Sequence, residues 1–517
     1  MILLRFVLGI ACALPSYGAD YIVKYKAHTQ PSSLHGLFAE GEVTGTHTTG
    51  RLIQVSLSDD NQQKELRLNQ LKKSSDIEYI VPNIKMHMFG EPNDPEYANQ
   101  WALKKINASK AWEHEKGSAD VVVAVIDTGI DWKHRDLKGQ IWTNTKEIAG
   151  NGKDDDQNGF VDDVRGWDFF GNDNDPMDET SDRNPGHGTH CAGIVGATGD
   201  NGLDISGVAQ NTTLMPIRFL GADGSGDLLN GAKAIDYAVQ NGAHVISASW
   251  GAAVARNAVK PILEAIERAK DKGVLFVAAA ANDGRSNDRR EVYPANAGLS
   301  NVISVAASDV DDNKPSWSNF GRATVDLASP GADILSTLPG NKIGKLSGTS
   351  MATPAAAGLA ALVVAKAMKN GDTLSPEHVK ALMQTSASVS KIETACACRI
   401  DAEAAVKATD ERKLVVIPNT GFVAPGNTLD FTAAGGANEG FQFKVDSSDV
   451  AEVTPEGVLT AKAEGEVTVT VTDADGTVAQ SHPILIGVRS QAEECPLKNP
   501  MLCVILCQVQ PTLPFCQ

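Results

Sequence analysis

Three polar side chains stand at the ends of apolar segments, and their types suit acyl transfer. Ser350 lies in Gly348-Thr349-Ser350-Met351-Ala352-Thr353-Pro354, ahead of an Ala/Leu/Val-rich stretch over residues 355–368. That stretch predicts a buried helix. A hydroxyl at its N-terminus meets free N–H groups and the positive dipole end, where developing negative charge is favoured. Gly-Thr-Ser also caps ordinary helices, so this segment alone does not decide. Asp127 ends the β-branched run Val121-Val122-Val123-Ala124-Val125-Ile126, which suits a strand buried on both faces. Open α/β sheets carry their functional groups at the carboxyl ends of such strands. His187 opens His187-Gly188-Thr189-His190-Cys191-Ala192-Gly193, a small-residue helix that can pack closely. Together the three supply a nucleophile, a base for it and a carboxylate to orient that base.

In order and wording these motifs resemble the subtilisin-like serine peptidases, over roughly residues 95 to 400. The resemblance implies a triad of Asp127, His187 and Ser350. It makes Asn282, after the apolar run Val274-Leu275-Phe276-Val277, a side-chain donor to the oxyanion beside the Ser350 N–H. The family usually carries Gly before this Asn, and here Ala281 stands there; a positive φ at that position costs Ala about 1 kcal/mol. The resemblance also implies a groove for extended peptide, with Ser249, Trp250 and Gly251 on one side and Gly224, Ser225 and Gly226 on the other.

Asp154-Asp155-Asp156-Gln157-Asn158-Gly159-Phe160-Val161-Asp162-Asp163 has the spacing of a calcium loop. Asp154, Asp156 and Asn158 are the expected side-chain ligands, with the Phe160 carbonyl next. Arg165 occupies the twelfth position, where an EF-hand has its closing Glu, so Asp162 or Asp163 is expected to substitute. Structural Ca2+ is the one cofactor expected, with no organic cofactor. Asn172-Asp173-Asn174-Asp175 is less specific and is not assigned.

Five segments are expected. Residues 1–18 carry Arg5 and a short apolar run and read as a secretory signal, with lipid attachment at Cys12 the alternative. Residues 19–90 alternate β-α-β, which resembles the family's inhibitory propeptide, cut near residues 86–91. Residues 91–408 alternate strand and helix, which argues for an α/β fold, a parallel sheet with helices on both faces. Residues 409–488 hold short alternating β segments between turns and read as an Ig-like β-sandwich. Surface or polymer contact and a spacer role both stay open for it. Residues 489–517 form a Cys-rich tail.

The net charge of −18, without Lys/Arg runs, excludes nucleic acid as a partner. No apolar stretch reads as a transmembrane span. Cys191 reads as a small core residue. Cys396, Cys398, Cys495, Cys503, Cys507 and Cys516 suit disulfides of an exported chain, with connectivity open. The leading expectation is a secreted serine endopeptidase, made as a self-processed zymogen whose propeptide is its own inhibitor. A transpeptidase or cyclase on the same scaffold, and an inactive adhesin, are the alternatives.

Overall fold

The computed structural model describes residues 20–29, 37–39, 42–57, 61–83 and 91–487. The signal, all but the last residue of the expected cut region 86–91 and the tail with its four cysteines lie outside them. The chain divides into two compact units, Met1–Phe89 and Gly90–Gln517.

Among the described residues, the first unit is a four-stranded antiparallel sheet in the order β2-β3-β1-β4 with one helix. Its elements are β1 (Asp20–Tyr25), β2 (Val43–His47), β3 (Leu52–Ser56), α1 (Asn61–Lys72) and β4 (Ile77–Pro82). Strand alternation turns Val23, Tyr25, Ile53 and Val55 toward Leu68 and Leu71 of α1. The strand β2 was not anticipated. Its sequence, VTGTH, has Gly45 and little apolar content, and its residues are mostly exposed.

The second unit is built on a nine-stranded sheet. Its strands are β5 (Val122–Asp127), β6 (Trp167–Asp168), β7 (Thr213–Arg218), β8 (Val245–Ala248), β9 (Leu275–Ala279), β10 (Val302–Ser308), β11 (Leu327–Pro330), β14 (Ser388–Val389) and β15 (Cys398–Arg399). The order is β14-β15-β11-β10-β9-β8-β5-β7-β6, parallel except at β14. A hairpin of β12 (Ile334–Leu338) and β13 (Lys342–Leu346) stands outside it. Both faces are covered, so β5 is apolar without a break up to Asp127. Val123 and Val125 face one core with α2 (His187–Gly196) and α5 (Thr349–Lys369). Ala124 and Ile126 face the other, with α3 (Leu228–Gln240) and α4 (Lys260–Asp271). β11 begins only at Leu327, although the alternating residues 324–327 are all strand formers or their neighbours in sequence.

The helix expected at residues 355–368 is α5, which starts earlier and takes in Ser350. By length and composition it could cross a bilayer, contrary to expectation, but 89% of its most apolar window is buried in the body. Its small residues allow that: a Cβ on Gly358 would sit 3.0 Å from the Val195 carbonyl of α2.

Two helices, α6 (Pro376–Thr385) and α7 (Ala402–Asp410), lead into the sandwich. Its strands run from β16 (Val415–Ile417) to β26 (Ile484–Ile486) around Phe431, Phe443, Leu459 and Val471. The continuous alternation over residues 467–471 is divided between two strands. β23 (Gly465–Val467) pairs with β26, and β24 (Val469–Thr472) pairs with β20 (Gln442–Val445). Val467, Val469 and Val471 nevertheless all stay inward. Cys396 and Cys398 bond to each other, and Cys191 is free and buried.

Candidate active site

Asp127 is the last residue of β5 and 1% exposed. One carboxylate oxygen accepts from the Thr128 N–H at 2.8 Å and from His187 Nδ1 at 2.7 Å. The other, Oδ2, is buried without a partner among the described residues. His187 is the first residue of α2, and its N–H donates to Asn184 Oδ1 at 2.7 Å. The helix start comes this close to the β5 turn because residue 188 is Gly. A Cβ there would lie 2.1 Å from the Gly129 carbonyl. Burial alone would lower the His187 pKa. The Asp127 charge and hydrogen bond, helped by Cys191, overcome it and hold it well above the usual value.

A second carboxylate, not singled out from the sequence, ties these elements together. Asp178 accepts from Thr128 Oγ1 at 2.8 Å, from the Thr189 N–H at 2.8 Å and from Thr189 Oγ1 at 2.7 Å. Thr128 Oγ1 in turn accepts from the Gly188 N–H at 2.9 Å. Burial pushes the Asp178 pKa up to about 6.

Ser350 is the second residue of α5 and 9% exposed. Its hydroxyl donates to the Ser249 carbonyl at 3.2 Å rather than to His187. Ser249 Oγ donates back to the Ser350 carbonyl at 2.8 Å. Cys191 Sγ lies 3.4 Å from that carbonyl and 3.9 Å from His187 Nδ1, packed between α2 and α5. Burial raises its thiol pKa, as befits a packing residue.

Asn282 Oδ1 accepts from the Thr349 N–H at 2.9 Å and from Thr349 Oγ1 at 3.0 Å. With its carbonyl end held, its amide N–H groups are left to donate elsewhere. The Ser350 N–H is in the first turn of α5, where no carbonyl four residues back can take it. A Cβ on Gly348 would sit 3.4 Å from Asn282 Nδ2 and 3.5 Å from the Ser350 nitrogen. Both donors therefore border one small space, at the point where a side chain on residue 348 would begin. Ala281 does adopt a positive φ, +89°.

The two segments expected to line a groove leave the sheet at β7 and β8. β8 exits through Ser249, Trp250 and Gly251. The Trp250 indole packs against Phe219 and Phe276 and donates to the Ile126 carbonyl at 2.9 Å. Phe219 and Leu220, just past β7, donate to the Asp127 carbonyl at 3.1 and 3.2 Å. That chain continues to Gly224, Ser225 and Gly226, where Gly224 has φ +79° and open space around it.

The acidic loop gathers carboxylates, with one correction. Oxygens of Glu147, Asp154 and Asp156 lie within 4.8 Å of one another. Glu147 was not expected. Asp162 and Asp163 are not part of that group. Asp162 accepts from the Asn151 and Gly152 N–H groups at 3.1 and 2.9 Å. Asp163, fully buried, accepts from Asn144, Asn158 and the Tyr237 hydroxyl. Asn158 Oδ1 accepts from the Phe160 N–H at 2.8 Å, and the Phe160 ring anchors the loop against Trp167, Phe169 and Tyr237. Three hard carboxylates converging so closely repel one another, and the oxygen donor set fits Ca2+. A second acidic pair, Asp94 and Asp136, is also buried. Burial, with mutual repulsion adding to Asp94, raises them to about 7 and about 6.

Comparison with known proteins agrees with this architecture. Residues 118–421 match the family model described as the subtilase family, and residues 414–482 that of the bacterial Ig-like domain (group 2). A thermophilic serine proteinase of Bacillus sp. (strain AK1) is 38% identical over 57% of this chain and 65% of its own length. Thermitase of Thermoactinomyces vulgaris is 38% identical over 53% of this chain and 86% of its own. A solved protease structure from Pseudoalteromonas arctica superposes with a TM-score of 0.51 at 28% identity, covering 62% of this chain and 99% of that one. The chain belongs to the subtilase family of serine peptidases, hydrolases that act on peptide bonds.

Proposed function

We propose that the protein is an exported serine endopeptidase that cuts its own precursor. The observation that carries this is the Asp127–His187 contact at the end of a buried strand, beside a serine whose N–H shares a small space with the Asn282 amide. Neutral His187 takes the Ser350 proton as the hydroxyl turns from Ser249 and attacks the substrate carbonyl. Asp127 holds the tautomer with the proton on Nδ1 and stabilises the imidazolium. Asn282 Nδ2 and the Ser350 N–H receive the oxyanion. His187 then returns its proton to the leaving amine, and water releases the acyl group by the same route. The peptide lies extended between the segments at residues 224–226 and 249–251.

The α+β unit before residue 90 serves as the propeptide and intramolecular inhibitor. Export is supported by the apolar N-terminal run and by the Cys396–Cys398 bond, since disulfides persist in oxidising compartments. Glu147, Asp154, Asp156 and Asn158 would hold a structural Ca2+, whose charge relieves their repulsion.

The test is a fluorophosphonate probe together with the Ser350→Ala variant. The probe labels Ser350 in the wild type, and the variant stays at precursor length. Normal maturation of the variant, or labelling elsewhere, refutes the reading. Hydrolysis products with an added amine nucleophile present separate a peptidase from a transpeptidase.

A further inference from the structure

The strand β16 belongs to two cores at once. Leu414 and Val416 point into the sandwich, in the cluster of Phe431 and Val471. Val415 and Ile417 point the other way, into the cluster that contains Val379, Leu382 and Met383 of α6. Strand alternation produces these two faces. In a free sandwich one of them would meet water, yet Val415 and Val416 are both fully buried.

Polar contacts continue the seam. Gln384, near the end of α6 and fully buried, donates from Nε2 to Thr420 Oγ1 at 3.1 Å. Its main-chain carbonyl accepts from His482 Nε2 at 3.1 Å, and the His482 N–H donates to the Asn419 carbonyl at 2.9 Å. Two ion pairs flank the seam, Arg322–Glu466 and Arg412–Asp372. Only residues 411–414 separate α7 from β16. Arg412 is committed to Asp372, and Leu414 to the sandwich core. The connection is too short and too engaged to act as a linker.

We infer that the sandwich is a brace of the catalytic body, sharing β16 with it and walling α6, and folds with it as one cooperative unit instead of swinging as a tethered binding module. The default for neighbouring domains is independent motion across a small polar interface. A strand divided residue by residue between two interiors removes that freedom. The inference does not depend on Ser350 being a nucleophile.

The test uses the full chain carrying Ser350→Ala, which prevents self-digestion, with and without Phe431→Ala. Phe431 is 1% exposed and belongs to the sandwich cluster alone. Pulsed hydrogen exchange read by mass spectrometry through the melting range gives separate midpoints for α6 and β24. A brace gives one shared midpoint, and Phe431→Ala lowers both together, by about 4 °C. A tethered module gives two midpoints, with Phe431→Ala moving β24 and leaving α6 in place; that result overturns the inference. If Phe431→Ala does not fold, Phe431→Leu makes the same comparison with a smaller shift.

Discussion

Ala281 is a residue at which the chain works against its own backbone beside the candidate site. Its φ of +89° is a conformation that a Cβ disfavours by about 1–2 kcal/mol. Two hydrogen bonds keep it there: its N–H donates to Thr349 Oγ1 at 3.2 Å, and its carbonyl accepts from the Asn319 N–H at 3.0 Å. Ala281→Gly removes the strain and retains both bonds. Gly is the freer residue in the unfolded chain, which returns about 0.4–1 kcal/mol of the gain. The net expectation is stabilisation of about 0.5–1 kcal/mol. For a body of about 430 residues, with an unfolding entropy of about 2 cal/mol/K per residue, this is a Tm increase of about 1 °C. Differential scanning calorimetry on the Ser350→Ala background measures it without self-digestion. In the active chain kcat changes less than about threefold, because Thr349 and not residue 281 fixes the Asn282 amide. A Tm lowered by a degree or more refutes the reasoning, since the methyl would then contribute packing that outweighs its strain. A large fall in kcat with Tm raised refutes the second half alone.

Asp127→Asn leaves the fold but lowers kcat by about ten-thousandfold, the scale known for triads that lose their carboxylate. Neutral His187 is the active form, so activity falls as pH drops through its raised pKa; without the Asp127 charge that acid limb moves to lower pH in a kcat/KM profile, and an unmoved limb counts against the pairing. EDTA lowers Tm if the acidic loop holds Ca2+, and Glu147→Gln shrinks the difference between calcium and EDTA melts; identical melts with and without EDTA remove the claim. In EDTA the Asp94–Asp136 pair reverses the usual pH trend. Folded-state pKa values near 7 and 6 lie above those of the unfolded chain, so their contribution is full below about pH 4 and lost as pH rises through 6–7. The chelated protein therefore melts higher at pH 5 than at pH 8.

What could be read from the sequence was what is local. Asp127, His187 and Ser350 are marked by the change from an apolar run to a turn, or from a turn to a helix, and such changes fall within a few residues. The positive φ of Ala281 was legible only as a condition, because the closure that imposes it comes from Thr349 and Asn319. Asp178 was hidden: its work is to bond Thr128 and Thr189 at once, and nothing near it in the chain marks that. The acidic loop shows the same limit among like residues. Asp154 and Asp162 are the same residue type in the same loop, yet one faces Glu147 and the other caps the turn at Asn151. Both accept from backbone N–H groups of the loop, so only the fold of the loop between them decides which one meets Glu147. Leu414-Val415-Val416-Ile417 is the extreme case. Four apolar residues in a row fit any buried strand, and the alternation that divides them between two interiors has no polar residue to reveal it. Where both sides of a strand are dry, the pattern records burial but not by what, and the boundary between domains becomes invisible at the point where they are most firmly joined.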